Sequence, residues 1–329
     1  MKLLIAGFQS RYEQYLPDLP VAHEAEMVFC KRGLSDTAFA AAAPDAEVVC
    51  VDSMRPTGSA LMDAMPNLKM IHCEGVGFDQ VDLEAARERG IFVCNNPGAN
   101  AGAVAEQVIL LILALMRSLV PGQRSMLEGT SNRVLKQVLS TPMRELGDCR
   151  VGLVGFGCIA KAVTKLLHAF GAEVCYNAPH RRSTEEEAQW GVTYLPLEEL
   201  AASCDIVSLH CPANASTHHL VDEGFLRRMK PTALLINTAR GDVVDSQALR
   251  NALEAGSLAG AGLDTLDQEP APLDHPLIAL PPELRDRVVL SPHIGGLTTA
   301  FFRRGHLNMW RDIEKVAGGQ RPDNVVNGL

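Results

Sequence analysis

The sequence predicts an α/β protein with two Rossmann-like, doubly wound domains. Short apolar, β-branched runs alternate with helical patterns, as in a parallel sheet that is covered by helices on both faces. This alternation starts twice, at residue 2 and again near residue 150. At the second start, the glycine-rich stretch VGLVGFGCIAKAV joins a strand pattern to a helix pattern. A length of 329 residues accommodates two such domains.

The apolar runs set the expected elements. Strands are predicted at residues 2–7, 47–52, 69–75, 150–155, 173–177, 205–210, 233–238 and 259–264. Helices are predicted at residues 102–119, 158–171, 245–256 and about 298–318, the last of which is expected to fold back onto the first domain. The helix at 102–119 is apolar on nearly every face, which indicates burial in a core or against another subunit.

Composition excludes several classes of protein. The net charge of −9 and the pI of about 5.6 offer no basic surface for nucleic acid. The nine cysteines include no CxxC pair, which favours reduced, cytoplasmic thiols, and we expect no bound metal. The apolar run at 108–120 is too short to cross a membrane, and the first residues are not a signal peptide.

The glycine-rich stretch has the spacing of a dinucleotide-binding turn, GxGxxG/A. Gly155 permits the tight turn, Gly157 lets the backbone approach a pyrophosphate, and Ala160 lets helix and strand pack closely. The start of the following helix attracts the phosphates. An acid about 20 residues further on usually binds the adenosine ribose. In this chain that region holds Asn177 and Ala178, neither of which carries a charge.

Four further stretches carry a resemblance to a known family. They are CEGVGFDQVDLEAARERGIFVCNNPGANAGAVAEQ (73–107), LINTARGDVVD (235–245), AGLDTLDQEP (261–270) and LSPHIGG (290–296). With the glycine-rich turn, they make the chain similar to the D-isomer-specific 2-hydroxyacid dehydrogenases. The resemblance is good over residues 45–329 and loose over residues 1–45.

The resemblance implies an architecture and an activity. The cofactor domain, residues 101–296, is inserted into a discontinuous substrate domain, residues 1–100 and 297–329, and the active site lies in the cleft between the domains. The implied reaction is hydride transfer between NAD or NADP and a small 2-keto or 2-hydroxy acid, as in glyoxylate or hydroxypyruvate reductases. Family members are usually homodimers that are joined through the helix that matches residues 102–119.

Three residues match the family's catalytic set. Arg240, in TARG, is expected to bind the substrate carboxylate and to polarise the keto group, since a guanidinium can form paired hydrogen bonds. His293, in SPHIGG, is expected to be the acid/base that protonates the developing alkoxide. Glu269, in DQEP, is expected to orient that histidine and to favour its protonated form.

The resemblance also assigns a cofactor surface. Asp264 matches an acid near the nicotinamide amide, and its alternative role is that of a cap at a strand end. The expected cofactor-binding residues are Gly155, Phe156, Gly157, Cys158, Ile159, Asn177, Ala178, His180, Arg181, Arg182, His210, Cys211, Pro212, Thr217, Thr238, Ala239, Arg240, Asp264, His293 and Gly295.

The loop Glu74, Gly75, Val76 and Gly77 matches the family's substrate loop, whose backbone N–H groups receive the carboxylate. The acid at Glu74 is unusual there, because it should repel an anion. It is expected to pair with Arg240 or another base, or to bind a hydroxyl-rich or cationic substrate tail. The alternative is a side chain turned to solvent.

The choice between NAD and NADP depends on the missing ribose acid. Ala178 occupies the position at which the family carries this acid. Without a carboxylate at this position, a 2′-phosphate is not repelled. His180, Arg181 and Arg182 follow closely and supply charges for such a phosphate, so we expect NADP to be accepted. The alternative is that these bases face the acids at 185–187, on a short helix that begins at Ser183.

Two other functions remain alternatives at this stage. One is a nucleotide-responsive binding or corepressor-type protein on the same fold. The other is a dehydrogenase that acts on phosphite or formate. The presence of Arg240, Glu269 and His293 together favours the 2-hydroxyacid dehydrogenase.

Overall fold

The computed structural model describes residues 1–52, 54–141 and 143–329. These residues form two compact units, Met1–Asn100 with Leu297–Leu329, and Ala101–Gly296. Each unit contains one sheet in which every paired strand is parallel. Strands that alternate with helices along the chain give this arrangement, and it confirms the predicted α/β class.

The first unit has a five-stranded sheet in the order β2-β1-β3-β4-β5. Its strands are β1 (Lys2–Ala6), β2 (Glu26–Cys30), β3 (Val48–Val51), β4 (Met70–Cys73) and β5 (Phe92–Cys94). Its first five helices are α1 (Gln9–Gln14), α2 (Pro20–Glu24), α3 (Asp36–Ala40), α4 (Ser59–Asp63) and α5 (Leu83–Glu88). Leu4 of β1 points to one face of the sheet, where Phe39 of α3 and Leu61 of α4 join it in a buried core.

The second unit has a seven-stranded sheet in the order β12-β11-β10-β9-β6-β7-β8. Its strands are β6 (Arg150–Val154), β7 (Glu173–Asn177), β8 (Thr193–Tyr194), β9 (Ile206–Leu209), β10 (Leu234–Asn237), β11 (Gly260–Leu263) and β12 (Val288–Leu290). Its helices are α6 (Ala101–Met116), α7 (Leu119–Leu127), α8 (Ser131–Ser140), α9 (Cys158–Ala169), α10 (Thr184–Trp190), α11 (Leu197–Ser203), α12 (Glu223–Arg228) and α13 (Ser246–Glu254).

Successive residues of β10 show that both faces of this sheet are buried. Leu235 packs in a core with Leu200 of α11 and Leu249 of α13. Its neighbour Ile236 packs in a separate core with Val108 of α6. Because side chains alternate across a strand, the two cores lie on opposite faces of the sheet, and the first three residues of β10 are apolar.

The C-terminal helix, α14 (Thr299–Ala317), belongs to the first unit. The Thr298 hydroxyl caps it by accepting the Phe301 N–H at 3.2 Å. Trp310 is fully buried in the core that Leu3 and Ile5 of β1 form on the second face of the five-stranded sheet. Helix α14 therefore covers the second face of the five-stranded sheet.

Helix α6 is shorter than predicted and is largely buried. It ends at Met116, and α7 continues after a bend of 58°. Within the described residues, no single helix has the length and apolar character needed to cross a membrane, whereas the bent pair α6 and α7 meets that test by length and composition alone.

Candidate active site

The glycine-rich turn between β6 and α9 leaves no room for a side chain at its first glycine. Gly155 has a φ of +96°, which side chains rarely tolerate. A Cβ there would also lie 2.7 Å from the carbonyl oxygen of His210, at the end of β9. The turn thus brings the ends of β6 and β9 together at the carboxyl edge of the sheet, where such folds bind ligands.

The second glycine of the turn faces open space. A Cβ on Gly157 would meet no other atom within 4 Å. Gly157 is the N-cap of the 12-residue helix α9, whose first N–H groups lack partners within the helix. Ala160 is fully buried against the sheet. These features fit the pyrophosphate of a dinucleotide, because backbone donors and the positive end of the helix are accessible.

The two arginines after β7 have different partners. Arg181 makes a paired interaction with Glu187, with its Nε and Nη2 each 2.9 Å from a carboxylate oxygen. Arg182 instead reaches back to the glycine-rich turn and donates to the Phe156 carbonyl at 3.1 Å. Its Nε is buried and makes no hydrogen bond within the described part of the chain. Ala178 is also buried.

The short helix α10 begins as the sequence predicts. Ser183 accepts the Glu186 N–H at 3.2 Å and caps the helix. The Glu186 side chain pairs with Lys161 at 2.7 Å instead of returning to the cap. Arg181 therefore forms an ion pair with one of the acids at 185–187, while Arg182 lies beside the turn and acts on Glu186 through its charge.

Other expected cofactor residues lie at the same edge of the sheet. Desolvation lowers the pKa of His210 to about 3, so its ring is neutral, and it contacts the Ser208 hydroxyl at 3.0 Å. Burial raises the pKa of the Cys211 thiol to about 11. The Thr217 hydroxyl donates to the Pro212 carbonyl at 2.6 Å, which closes the loop after β9.

The two residues of the predicted acid/base pair are in contact within the second unit. His293 Nδ1 lies 2.6 Å from Glu269 Oε2. Burial raises the pKa of Glu269, but the hydrogen bonds from His293 and from the Leu266 N–H outweigh it, and the net pKa is below the usual value. An ionised carboxylate only accepts hydrogen bonds, so Nδ1 carries the proton and Nε2 is left as the reactive ring nitrogen.

The third predicted catalytic residue follows β10. Arg240 begins the 3₁₀ turn Gly241–Val243, and its carbonyl accepts from the Asn237 side chain at 2.8 Å. Its guanidinium donates to the Ala239 carbonyl at 2.7 Å. The positive charge of Arg240 also contributes to the lowered pKa of Glu269. The second unit therefore brings a cation, a carboxylate and an imidazole to one edge.

Asp264 anchors the backbone around His293. Its carboxylate accepts from the Ser291 hydroxyl at 2.5 Å and from the N–H groups of Ile294 and Gly295 at 3.1 and 2.8 Å. Its carbonyl accepts from the His293 N–H at 2.7 Å. Asp264 thus has the role of a cap at the end of β11, and a contact with the nicotinamide amide stays a prediction.

In the first unit, the side chain of Glu74 is buried and bonded. Its carboxylate receives Arg11 on one oxygen and His306 Nε2 on the other, the latter at 3.0 Å. The backbone N–H groups of the next three residues, Gly75 to Gly77, donate no hydrogen bond within the described part of the chain. Glu74 therefore pairs with a base other than Arg240, and its side chain is not turned to solvent.

Comparison with known proteins identifies the family. The model of the D-isomer specific 2-hydroxyacid dehydrogenase NAD-binding domain matches residues 109–295. The glyoxylate reductase of Thermofilum pendens is 40% identical over 267 residues, which cover 81% of this chain and 77% of that protein. The chain belongs to the D-isomer-specific 2-hydroxyacid dehydrogenase family.

Other relatives carry names that differ from glyoxylate reductase. The D-3-phosphoglycerate dehydrogenase of Mycobacterium tuberculosis (strain H37Rv) is 34% identical over 287 residues, 87% of this chain and 52% of that protein. The D-lactate dehydrogenase of Aquifex aeolicus, solved with NAD and lactic acid, superposes over all of both chains with a TM-score of 0.84 and 29% identity. An acyclic imino acid reductase with NADPH and D-Arg has a TM-score of 0.84 and 25% identity, and the match covers 99% of this chain and 100% of that chain.

These relationships confirm the predicted class, an NAD(P)-dependent oxidoreductase of 2-hydroxy acids with two Rossmann-like domains. They favour it over the corepressor and the phosphite or formate dehydrogenase alternatives. A nicotinamide cofactor is supported by the matched NAD-binding domain. NAD and NADP both occur among the solved relatives.

Sequence reasoning missed several residues that contact the site. Arg11 and His306 bind Glu74 from opposite ends of the chain, and only the fold brings them together. Ser246 and His275, which bind the carboxylate two residues before Glu269, were also missed. The stretch DHPL, in which His275 sits before a proline, was the available signal, but a lone histidine has no specific meaning.

One group in the described part of the chain has the composition of a metal site. The ligand atoms of His218, His219 and Asp242 lie within 4.8 Å of one another. His218 Nδ1 is already 2.8 Å from the Asp242 carboxylate, and the two imidazoles stack at 4.0 Å. The group is partly exposed to solvent, and its contacts are those of a surface ion pair.

Proposed function

We propose that this protein reduces small 2-keto acids, glyoxylate foremost, and that it accepts NADPH. The observation that carries the reaction type is the 2.6 Å contact of His293 with an ionised Glu269 beside Arg240. Glyoxylate is proposed because several relatives that are 36–40% identical over about four fifths of the chain are named glyoxylate reductase.

The residues have complementary tasks in this reaction. When bound, the nicotinamide supplies the hydride for the keto carbon. Arg240 binds the carboxylate and the keto oxygen, and its charge stabilises the oxygen as negative charge develops there. His293 donates the proton on Nε2 to that oxygen, while the ionised Glu269 accepts a hydrogen bond from Nδ1–H and stabilises the charged ring before transfer. In the oxidative direction, the same Nε2 accepts the proton.

The substrate carboxylate is proposed to reach the loop of Gly75, Val76 and Gly77. Their N–H groups are three unused donors in the described structure, and two glycines leave the backbone open. In this proposal the first unit supplies backbone donors for the substrate, and the second unit binds the cofactor. Among the solved relatives, the A. aeolicus enzyme was crystallised with both NAD and lactic acid.

Acceptance of NADPH is proposed to depend on Arg182. The carboxylate that would repel a 2′-phosphate is absent at Ala178, and Arg182 lies beside the glycine-rich turn with a buried, unused Nε–H. Arg181 is already neutralised by Glu187. A charge-assisted hydrogen bond contributes roughly 1.5–3 kcal/mol, which is about 10-fold to 100-fold in affinity.

The proposed activity is tested by absorbance at 340 nm, with NADH and NADPH each offered against glyoxylate, hydroxypyruvate, pyruvate and phenylpyruvate. We expect oxidation of NADPH with glyoxylate. If neither cofactor is oxidised with any of these acids, the proposed function is wrong. If NADH alone is oxidised, only the cofactor assignment is wrong.

Matched variants test the phosphate site. Arg182→Ala should raise KM for NADPH by roughly 10-fold or more and should leave KM for NADH nearly unchanged. Arg181→Ala is the control, since its guanidinium is bound by Glu187 and lies off the turn. Equal effects of the two variants on NADPH would contradict the assignment.

We also propose a homodimer that forms through α6 and its neighbours. Several apolar side chains of this region are more than half exposed in the single chain: Leu110, Leu119, Met126, Leu127, Leu135 and Leu139. Apolar groups on adjacent helices indicate an interface, because soluble monomers rarely expose contiguous apolar surface. Light scattering after size exclusion should give twice the chain mass of 35.5 kDa.

A further inference from the structure

A second acid–histidine pair, Asp267 and His275, lies next to the pair of Glu269 and His293, and its acid is two residues before Glu269. Asp267 Oδ1 is 2.7 Å from His275 Nε2 and 2.6 Å from the Ser246 hydroxyl. His275 Nδ1 accepts the Leu277 N–H at 3.2 Å. The proton of this imidazole is therefore on Nε2, which donates to Asp267. Both His275 and Ser246 are buried, whereas the Asp267 side chain is partly exposed to solvent.

These bonds join the segments that carry the catalytic residues. Ser246 is the first residue of α13, which follows the turn that begins at Arg240. Asp267 is two residues from Glu269, whose Oε1 accepts the Leu266 N–H at 2.9 Å. One carboxylate thus connects the start of α13 to the turn that holds Glu269 against the imidazole.

The same two segments also touch backbone to backbone. A Cβ on Gly241, directly after Arg240, would lie 1.8 Å from the carbonyl carbon of Leu266 and 2.1 Å from the Asp267 nitrogen. No side chain lies between them to absorb a shift. Because protein interiors are close-packed, a movement of the Asp267 turn is passed to the Arg240 turn.

We propose that Asp267, held by His275 and Ser246, is a positioning site that sets the direction of the Glu269 carboxylate toward His293 Nδ1. This inference rests on the proposed function, in which that pair transfers the proton. Asp267 touches neither His293 nor a reacting atom. Loss of these bonds should therefore act first through Glu269, by leaving the imidazole without the acceptor that fixes its tautomer and supports its protonated form.

The consequence for reduction has a definite direction. Reduction requires a proton on His293 Nε2. The charged groups that lower the pKa of Glu269 are His293 and Arg240. If Glu269 turns away, the protonated ring is less stabilised and loses its proton at a lower pH. The alkaline limb of kcat/KM should move to lower pH, and kcat should fall. A displacement near 1 Å costs on the order of 100-fold, so a loss of about 10-fold or more is expected.

The test uses the full chain with the cofactor that it accepts. His275→Leu removes the donor to Asp267, and His275→Gln retains an N–H near the position of Nε2. We expect His275→Leu to lower kcat about 10-fold or more, to move the alkaline limb down and to leave KM for the cofactor unchanged. His275→Gln should restore most of both effects. Glu254→Gln, which removes an exposed pair on α13, is the matched control and should change neither quantity.

Other outcomes would overturn the inference. They are an unchanged kcat and pH profile in His275→Leu, or a fall in kcat that is equal at every pH and is not restored by glutamine. If His275→Leu does not fold, Ser246→Ala removes the second donor and should shift the limb in the same direction by a smaller amount. An unshifted limb in that variant contradicts the proposal.

A readout without turnover separates this inference from the proposed function. Long-range ¹H–¹⁵N spectra of the imidazoles report which nitrogen of His293 carries the proton. We expect Nδ1–H in the wild type and a mixed or reversed tautomer in His275→Leu. The tautomer test stands even if no 2-keto acid is reduced, and an unchanged His293 tautomer in the variant would overturn the positioning role.

Discussion

Glu74→Gln is a direct test of how the unusual acid at the substrate loop is used. Glu74 is 5% exposed, and each of its carboxylate oxygens contacts a base, Arg11 or His306. Removing one partner of a buried ion pair costs roughly 3–5 kcal/mol, since the remaining charge is left uncompensated. Glutamine retains the volume and one acceptor, so we expect about 3 kcal/mol, the lower end of that range.

The matched control is Glu47→Gln in the same unit. Glu47 pairs with Lys69 at 2.7 Å, but the side chains are 29% and 54% exposed, and such pairs contribute roughly 0–1 kcal/mol. Urea unfolding at pH 7 measures both free energies. The preference between glyoxylate and phenylpyruvate should be unchanged in Glu74→Gln, because its carboxylate is occupied within the first unit.

A small loss of stability in Glu74→Gln would contradict the buried ion pair. A loss below about 1 kcal/mol would show that the two contacts do not form a buried ion pair in solution. If that small loss came with a tenfold change in substrate preference, the carboxylate would face the substrate tail. The hypothesis of a polar tail, which the sequence raises, would then be correct.

Three further predictions concern stability and the catalytic turn. Trp310→Ala should destabilise the first unit by roughly 3–5 kcal/mol in urea, because the ring is fully buried. Gly241→Ala should abolish most activity at 340 nm and destabilise the second unit by at least roughly 1–3 kcal/mol, since its Cβ has no room beside Leu266; near-normal turnover would contradict the contact. Burial raises the pKa of Asp205, but the hydrogen bonds that its carboxylate accepts, led by that from Arg144, outweigh burial, and the net pKa is below the usual value. The ionised Asp205 therefore stabilises the fold above its pKa in the unfolded chain, and this stabilisation is lost as the pH falls through its pKa in the folded protein. Asp205→Asn should therefore lower Tm at pH 7, and the difference should shrink toward pH 2.

The strands that the sequence predicted and those that it missed differ by position in the sheet. All eight predicted strands occur, with ends that differ by at most two residues. The four missed strands, β2, β5, β8 and β12, are the four edges of the two sheets. An interior strand is buried on both faces and reads as a continuous apolar run. An edge strand can be short, as β8 is with two residues, and part-exposed, so it leaves no such run.

Some residues of the candidate site could also be predicted from the sequence, whereas their partners could not. Arg240, Glu269 and His293 were predicted because each sits in a short local motif whose residue types suit the chemistry. The partners that hold them are distant in sequence, as Ser246 is from Asp267, and depend on the fold. The sequence also left open which arginine pairs with the acids of α10. The path of the backbone after β7 directs Arg181 to Glu187 and Arg182 to the Phe156 carbonyl.

The backbone of His293 shows a feature that residue types alone conceal. Its φ is +53°, in the left-handed region that glycine usually occupies, and such a residue costs on the order of 1–3 kcal/mol. In the glycine-rich stretch SPHIGG, a glycine would be expected at any residue with a positive φ, yet His293 adopts this conformation. The carbonyl and carboxylate of Asp264 hold this conformation through the N–H groups of 293–295. The buried Asp264 carboxylate offsets this strain, so the turn can direct one ring nitrogen of His293 at Glu269 and leave the other for the proposed proton transfer.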